Sequence, residues 1–423
     1  MIALGLLRST YFLTDIWFVG RLGDDALAAI GGSAFAWWMI HTLCDLSGVG
    51  VHALVARWEG GRQRERIPST LAQGLWVSLV VAVVLAALAR PGTLAYFDLL
   101  GFADGAGPTR LGVQYLSVSL ITAGTLAVYA VILAAFRALG QTRTALVITA
   151  VTLVVNLALD PALIWGWGPL PALGIGGAAW ATAVANGVGA VAGAAVLARR
   201  GIRLRYEAPT SEARRVAAIG GPITVAGLGF SLVYVLLGRI INGFGDEHMA
   251  ALGVGHRLES IAYMATVGFS VGAATMVGQH LGAGSVERAR EAAAAANRLC
   301  AAWMVPVTAT MLVGAPVFLG WFTDDPAIVA SGTTYLRLQS LVFVAMGVEV
   351  VLEGAFSGAG DTLPPLVIGG TLTAARLPMA WAFGEWAGLG ITGVWIAIAV
   401  STLGKAVVLG GWWRRGRWAK VLE

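Results

Sequence analysis

The chain of 423 residues has too few charged side chains to cover a soluble protein of its size, since 12% of its residues are charged and 57% are hydrophobic. Soluble domains carry about 25% charged residues, so much of this surface must face lipid. The composition excludes a soluble enzyme or binding module and indicates an integral membrane protein. The net charge of +5 is modest, and we interpret it as a topology signal and not as affinity for nucleic acid.

Apolar segments long enough to cross a bilayer recur along the whole chain. A spanning helix needs about 20 mostly apolar residues, and polar or Gly/Pro-rich breaks separate these segments. The sequence therefore predicts an all-α integral membrane protein with about twelve transmembrane helices. In chain order they cover 2–20, 26–57, 69–89, 110–136, 143–166, 173–198, 216–242, 248–281, 288–321, 328–357, 363–386 and 389–413.

The loops between these segments alternate in charge. Loops after even-numbered spans are basic, as in RWEGGRQRER (57–66), whereas loops on the other side are acidic, as in FTDDP (322–326). Arg and Lys favour the cytoplasmic side. We therefore expect both termini to lie in the cytoplasm, with the protein integral to a bacterial inner membrane.

The two halves of the chain resemble each other. RLGDDALAAIG (21–31) matches GFGDEHMAALG (243–253), and AFRALGQT (135–142) matches AFSGAGDT (355–362). Matched blocks in the same order indicate a duplicated six-helix unit. Transporters built from repeats bind substrate near the middle of the membrane, so the repeat favours a transporter.

The repeat and the charges together divide the chain into three parts. The expected domains are an N-terminal six-helix lobe over 1–200, a basic cytoplasmic linker over 201–215 and a C-terminal six-helix lobe over 216–423. Each lobe has an even number of spans, so the two repeats share one orientation.

Several motifs resemble the multidrug and toxic compound extrusion (MATE) family, and most closely its DinF-like branch. They are DIWFVGRLGDDALAAIG (15–31), FRALGQTRTALVITAVTLVVNLALDPALIWG (136–166), MVGQHLGAGSVERA (276–289) and GAFSGAGDT (354–362). The resemblance implies two six-helix lobes in a V. It also implies export of cationic, amphipathic compounds against inward flow of H⁺ or Na⁺. The expected partners are these small molecules and membrane lipids, the expected state is a monomer, and no cofactor is expected.

The stretch VNLALDP (155–161) places an amide and a carboxylate in an otherwise apolar span. Asn156 and Asp160 are four residues apart and share one helix face, and Pro161 frees the carbonyl of Leu157. A carboxylate exposed to lipid costs about 2.5–3.5 kcal/mol on insertion scales, so Asp160 must face the lobe interior. This oxygen-rich notch is either a cation site or a structural polar network.

The second repeat lacks this notch, since Arg376 and Ala380 stand at the equivalent positions. The notch is therefore specific to the N-terminal lobe. The family resemblance implies that Asp15 joins Asn156 and Asp160 in a cation-coupling and substrate cluster. It adds Tyr115 and Thr182, for which an interfacial anchor and a helix-packing role are the respective alternatives.

The C-terminal lobe has its own acids, Glu259, Glu349 and Glu353. They are either a second cation site or part of a buried ion pair in which Arg376 neutralises one of the two neighbouring glutamates. On the second span, His41 and Asp45 are spaced either for a proton relay or for a hydrogen-bonded core pair.

Two alternatives to an efflux antiporter remain open at this stage. A flippase for lipid-linked precursors would need a strongly basic cavity, and the cations embedded in the spans are few, chiefly Arg239, Arg257, Arg376 and Lys405. A membrane enzyme is disfavoured because the sequence contains no HExxH motif and its histidines form no metal-ligand pattern. A scaffold is disfavoured because the buried acid pair is confined to one of the two repeats. The sequence therefore predicts a protein that is not an enzyme and holds no metal.

Overall fold

The computed structural model describes residue 14, residues 17–100, residue 105 and residues 107–168 and 171–420. Throughout these ranges the regular structure is helical, without a strand, which confirms the all-α prediction. The helices are α1 (Asp24–Gly60), α2 (Ile67–Ala87), α3 (Ala89–Leu99), α4 (Gly107–Ile121), α5 (Ala123–Ala138), α6 (Thr142–Ile164), α7 (Ile175–Arg199), α8 (Ser211–Asn242), α9 (Asp246–Gly282), α10 (Val286–Gly320), α11 (Pro326–Ser340), α12 (Phe343–Ala359), α13 (Leu363–Ala374), α14 (Arg376–Trp381) and α15 (Gly390–Arg414).

The predicted spans agree with these helices to within a few residues. Among the described residues, nine helical segments are long and apolar enough to cross a membrane, and two bent helix pairs raise the total to eleven. The predicted span 2–20 lies mostly outside the described residues. Helix α3 has no counterpart among the predicted spans, because at 11 residues it is too short to cross a bilayer.

Two of the predicted spans are bent, which the sequence did not indicate. The break between α4 and α5 bends the span by 49°, and the break between α11 and α12 bends it by 56°. Neither break contains a proline. At each one a hydroxyl bonds to the carbonyl four residues earlier, Thr122 to Val118 at 2.8 Å and Ser340 to Leu336 at 2.6 Å. This type of side-chain bond bends helices.

The chain forms two compact units, and the boundary between them lies at 224/225, inside α8. Among the described residues, the first unit extends to Thr224 and the second begins at Val225. In the first unit the start of α8 packs tightly on α1. A Cβ added at Gly50 would collide with the backbone of Val216, and one added at Gly220 would collide with the carbonyl of Leu46.

The segment predicted as the linker 201–215 is shorter in the structure, since α8 begins at Ser211. The remaining residues are bound to α2 of the first unit. Trp76 Nε1 donates to the carbonyl of Glu207 at 2.7 Å, and Gln73 bonds to the backbone of both Ala208 and Thr210. These bonds explain why the compact first unit extends beyond the predicted lobe boundary at residue 200.

Helices α6 and α7 pack closely because α7 has glycine at the contact. A Cβ on Gly177 would collide with the carbonyl of Leu163, whereas Gly187 on the same helix has open space. We expect Gly177→Ala to destabilise the protein by about 1–3 kcal/mol, since extra volume in a packed core costs about that much. Gly187→Ala is the matched control and should leave stability unchanged or slightly improved.

Thermal unfolding of both variants in detergent, followed by size-exclusion chromatography, measures the difference. Equal midpoints for the two variants would contradict the contact between α7 and the end of α6.

Candidate functional site

The amide and carboxylate predicted to share a face of α6 do so. Asn156 and Asp160 are both fully buried, and Asn156 Nδ2 donates to Asp160 Oδ1 at 3.2 Å. The four-residue spacing produces this contact because residues four apart lie one turn apart on a helix. The pair lies inside the first unit, away from lipid, as the cost of an exposed carboxylate requires.

The side-chain oxygen of Asn156 is a buried acceptor without a hydrogen-bond partner in the described part of the chain. Leaving such a group unsatisfied costs about 1–3 kcal/mol. A buried polar group of this kind requires an explanation. The oxygen can accept a hydrogen bond from a donor or contact a cation.

A small pocket lies in the same unit. Its cavity volume is about 30 Å³, it opens partly to the surface, and Tyr115 and Thr182 both line it. The structure therefore brings these two predicted site residues together. The other lining residues are Trp37, Ile40, His41, Ser119, Thr122, Ala123, Thr125, Leu126, Ala179, Ala183 and Asn186.

Asn156 and Asp160 do not line this pocket, but they lie level with Thr182, which does. Helices α6 and α7 run antiparallel, with Gly177 against Leu163 and Gly189 against Thr152. Between those two contacts, the pair on α6 is level with the part of α7 that carries Thr182. Asp15, the fifth predicted member of the cluster, lies outside the described residues.

The pocket contains polar residues that the sequence analysis missed. Asn186 lies one turn beyond Thr182 on α7, and Ser119 lies one turn beyond Tyr115 on α4. In each case a four-residue spacing between two polar side chains was the available signal. His41 also lines the pocket, with its ring centroid 3.9 Å from that of Trp37.

Two of the three predicted acids of the second unit have a bonded partner. Lys405 Nζ on α15 lies 2.5 Å from Glu349 Oε1 on α12. Tyr335 donates to Glu259 at 2.6 Å. Glu353 lies one turn from Glu349 and is partly exposed.

The partner of Glu349 differs from the one predicted. Arg376 is the cation that the sequence offers as a neutralising partner for one of the two glutamates. In the structure its guanidinium instead donates to the hydroxyls of Ser401, Tyr234 and Thr402, at 2.7, 3.0 and 3.1 Å. The ion pair is formed by Lys405 instead. These groups belong to one network. Tyr234 lies within electrostatic range of Glu259, Glu349 and Arg376, and Lys405 lies within range of both Glu349 and Glu353.

In the described ranges no group of three His, Cys, Asp or Glu side chains is arranged to hold a metal ion. A cation at either cluster would therefore contact carboxylate, amide and hydroxyl oxygens. Such oxygens suit protons through carboxyl titration and hard cations through direct contact.

Comparison with known proteins gives concordant results. The MatE family profile matches residues 1–162 and 222–382. A probable multidrug resistance protein NorM of Thermotoga maritima is 25% identical, over 98% of this chain and 90% of its own length. An FAD transporter of Shewanella oneidensis is 25% identical, over 93% of this chain and 87% of its own.

Among solved structures, a multidrug resistance MATE family transporter in an outward-facing conformation has a TM-score of 0.90 and 23% identity. The match covers 99% of this chain and 94% of that one.

Proposed function

Because this chain belongs to the MatE family of membrane transport proteins, we propose that it is a secondary active antiporter. It exports cationic or amphipathic drugs and toxic compounds in exchange for protons or sodium ions. It acts as a monomer in the bacterial inner membrane, in contact with membrane lipids, and both termini are in the cytoplasm.

The observation that carries this proposal is the buried Asn156–Asp160 pair, which lies level with Thr182 of the pocket wall. A carboxylate in this position attracts a cationic substrate when it is charged and releases it when a proton or sodium ion neutralises it. The coupling ion and the substrate then compete for one negative charge. This competition supplies the differential affinity that exchange requires.

The roles within the cluster follow from the side chains. Asp160 holds the exchangeable charge, and Asn156 orients it and offers an oxygen to the ion. The Tyr115 and Thr182 hydroxyls supply further oxygens from the pocket wall, with Asp15 as a second carboxylate. Glu259, Glu349 and Glu353 form a second ion-responsive cluster in the C-terminal unit.

The pocket chemistry supports an efflux antiporter more than a flippase for anionic lipid precursors. The residues lining the pocket include no arginine or lysine, whereas a phosphate-bearing lipid is bound through such side chains. Apart from His41, the described residues of the pocket wall are aromatic, aliphatic and neutral polar, which suits contact with the apolar part of an amphipathic cation.

Transport assays test the proposal. A host lacking its own multidrug pumps should become less susceptible to cationic dyes when it expresses the protein. In proteoliposomes, proton and sodium gradients imposed separately should identify the coupling ion. FAD efflux is measured in parallel because one relative is named for that substrate. If neither gradient drives transport of any cationic substrate, the antiporter assignment is refuted.

A further inference from the structure

The second unit contains a lysine in the position that a coupling cation would take. Lys405 Nζ lies 2.5 Å from Glu349 Oε1, and each side chain is only 7% exposed. Ca²⁺, a hard cation, lies about 2.3–2.6 Å from its oxygen ligands. The ammonium group therefore fills the space in which a metal cation would contact Glu349.

The neighbouring Glu353, unlike Glu349, is not paired with a cation in the described ranges. It lies one turn along α12, with Oε1 close to Gly369 on α13, and it has no hydrogen bond or ion pair in the described part of the protein. It is within electrostatic range of both Glu349 and Lys405. Glu353 is half-buried, whereas Glu349 is buried.

The charges of this network nearly balance. Three carboxyl groups face two fixed cations, so one proton on the cluster makes it neutral. Since Glu349 is paired with Lys405 and Glu259 accepts a bond from Tyr335, Glu353 is the carboxyl on which that proton is held. The titratable and charged groups that face the cluster, from α8, α9, α11, α12, α14 and α15, are Tyr234, His256, Glu259, Tyr263, Tyr335, Glu349, Arg376 and Lys405.

We propose that Lys405 is a tethered counter-cation that determines ion selectivity in the C-terminal unit. By occupying Glu349 it excludes sodium from the two glutamates and leaves the proton as the ion that they exchange, at Glu353. A cation held on the same chain competes at a high effective concentration, so free sodium does not displace it. The inference refines the proposed antiporter by assigning an ion to its second cluster.

Sodium binding to purified variants tests this directly. All proteins compared, including the parent, carry Asp15→Asn and Asp160→Asn, so that the cluster of the first unit adds no sodium site and the readout is independent of transport. Lys405→Met removes the ammonium and keeps the length of the side chain. We expect Lys405→Met to gain saturable binding of radioactive sodium. The parent, which keeps Lys405, and the Lys405→Arg variant should bind none. Adding Glu349→Gln to Lys405→Met should abolish the gain.

Sodium binding that is equal in the parent and in Lys405→Met would overturn the proposal, whatever the transport assays show. If Lys405→Met does not fold, a second measurement uses protein with Lys405 intact. When the pH is raised from about 6 to about 9, Glu353→Gln should release about one proton fewer per molecule than the parent. Sodium chloride should not change this difference. The proposal would also be refuted if Glu353→Gln released as many protons as the parent, or if sodium reduced the number of protons that the parent releases.

Discussion

Asp160→Asn should reduce drug efflux to the level of cells without the protein while the variant still folds and inserts. The substitution keeps the size of the side chain and an oxygen that can accept the bond from Asn156 Nδ2. It removes the negative charge for which substrate and coupling ion compete. Folding should be preserved because a neutral amide is less costly than a carboxylate in a buried site.

The measurement pairs efflux of a cationic dye with the amount of folded protein in the membrane. Asp98→Asn makes the same chemical change at an exposed position on α3 and should leave efflux unchanged. Glu353→Gln should have an intermediate effect, because it alters the second cluster only. Efflux at the parent level from Asp160→Asn would remove Asp160 from its role as the exchanging group.

Much of the fold could be predicted because the apolar length of each span and the repeat are both visible in the sequence. The repeat also appears in the helices. Helices α1 and α9 both contain 37 residues. The two bends fall at corresponding places, since Ala123 and Phe343, which begin the helices after them, are offset by the same distance as AFRALGQT and AFSGAGDT.

The bends themselves could not be predicted from composition. Prolines usually mark kinks, and here the prolines Pro161 and Pro222 lie inside helices, while the bends occur at a threonine and a serine. Hydroxyl side chains are frequent in these spans, and the sequence does not show which of them turns back to its own helix. That choice depends on packing in the tertiary structure.

The ion-pair partners of the acids in the C-terminal cluster could not be predicted from the sequence either. In a soluble helix, the apolar stripe identifies the face that packs inward. In a membrane helix the lipid face is apolar as well, so spacing showed that Glu349 and Glu353 share a face but not which helix opposes it. The structure places α15 there, so Glu349 is paired with Lys405 and not with Arg376.

The N-terminal pair could be predicted because its contact is local. Asn156 and Asp160 are on one helix, so a spacing of four residues is enough to bring them together. Tyr115 and Thr182 needed the family resemblance, since they are on different helices. Asn186 lies four residues after Thr182 on the same helix, but this spacing alone does not show that the two side chains line a pocket.

Binding of a cationic substrate should weaken as the pH falls from about 8 to about 6, and Asp160→Asn should flatten this dependence. A coupling carboxyl must change its protonation between the two sides of the membrane, so its titration has to fall within the working range of pH. Protonation of Asp160 removes the charge that attracts the drug, and a proton thereby displaces it. The neutral variant has no such charge to lose, so its weaker binding should be nearly constant.

Equilibrium binding of a fluorescent cation to purified protein across this range measures the effect, with the Asp98→Asn variant as the control that keeps the pH response. The same titration repeated with sodium chloride in place of choline chloride separates the two coupling ions. If the parent binds the fluorescent cation equally at every pH but loses affinity steeply as sodium is added, the coupling ion at these residues is Na⁺ and not the proton. A proton-coupled site gives the opposite pattern, because only a ligand that binds the two charge states differently can shift their equilibrium.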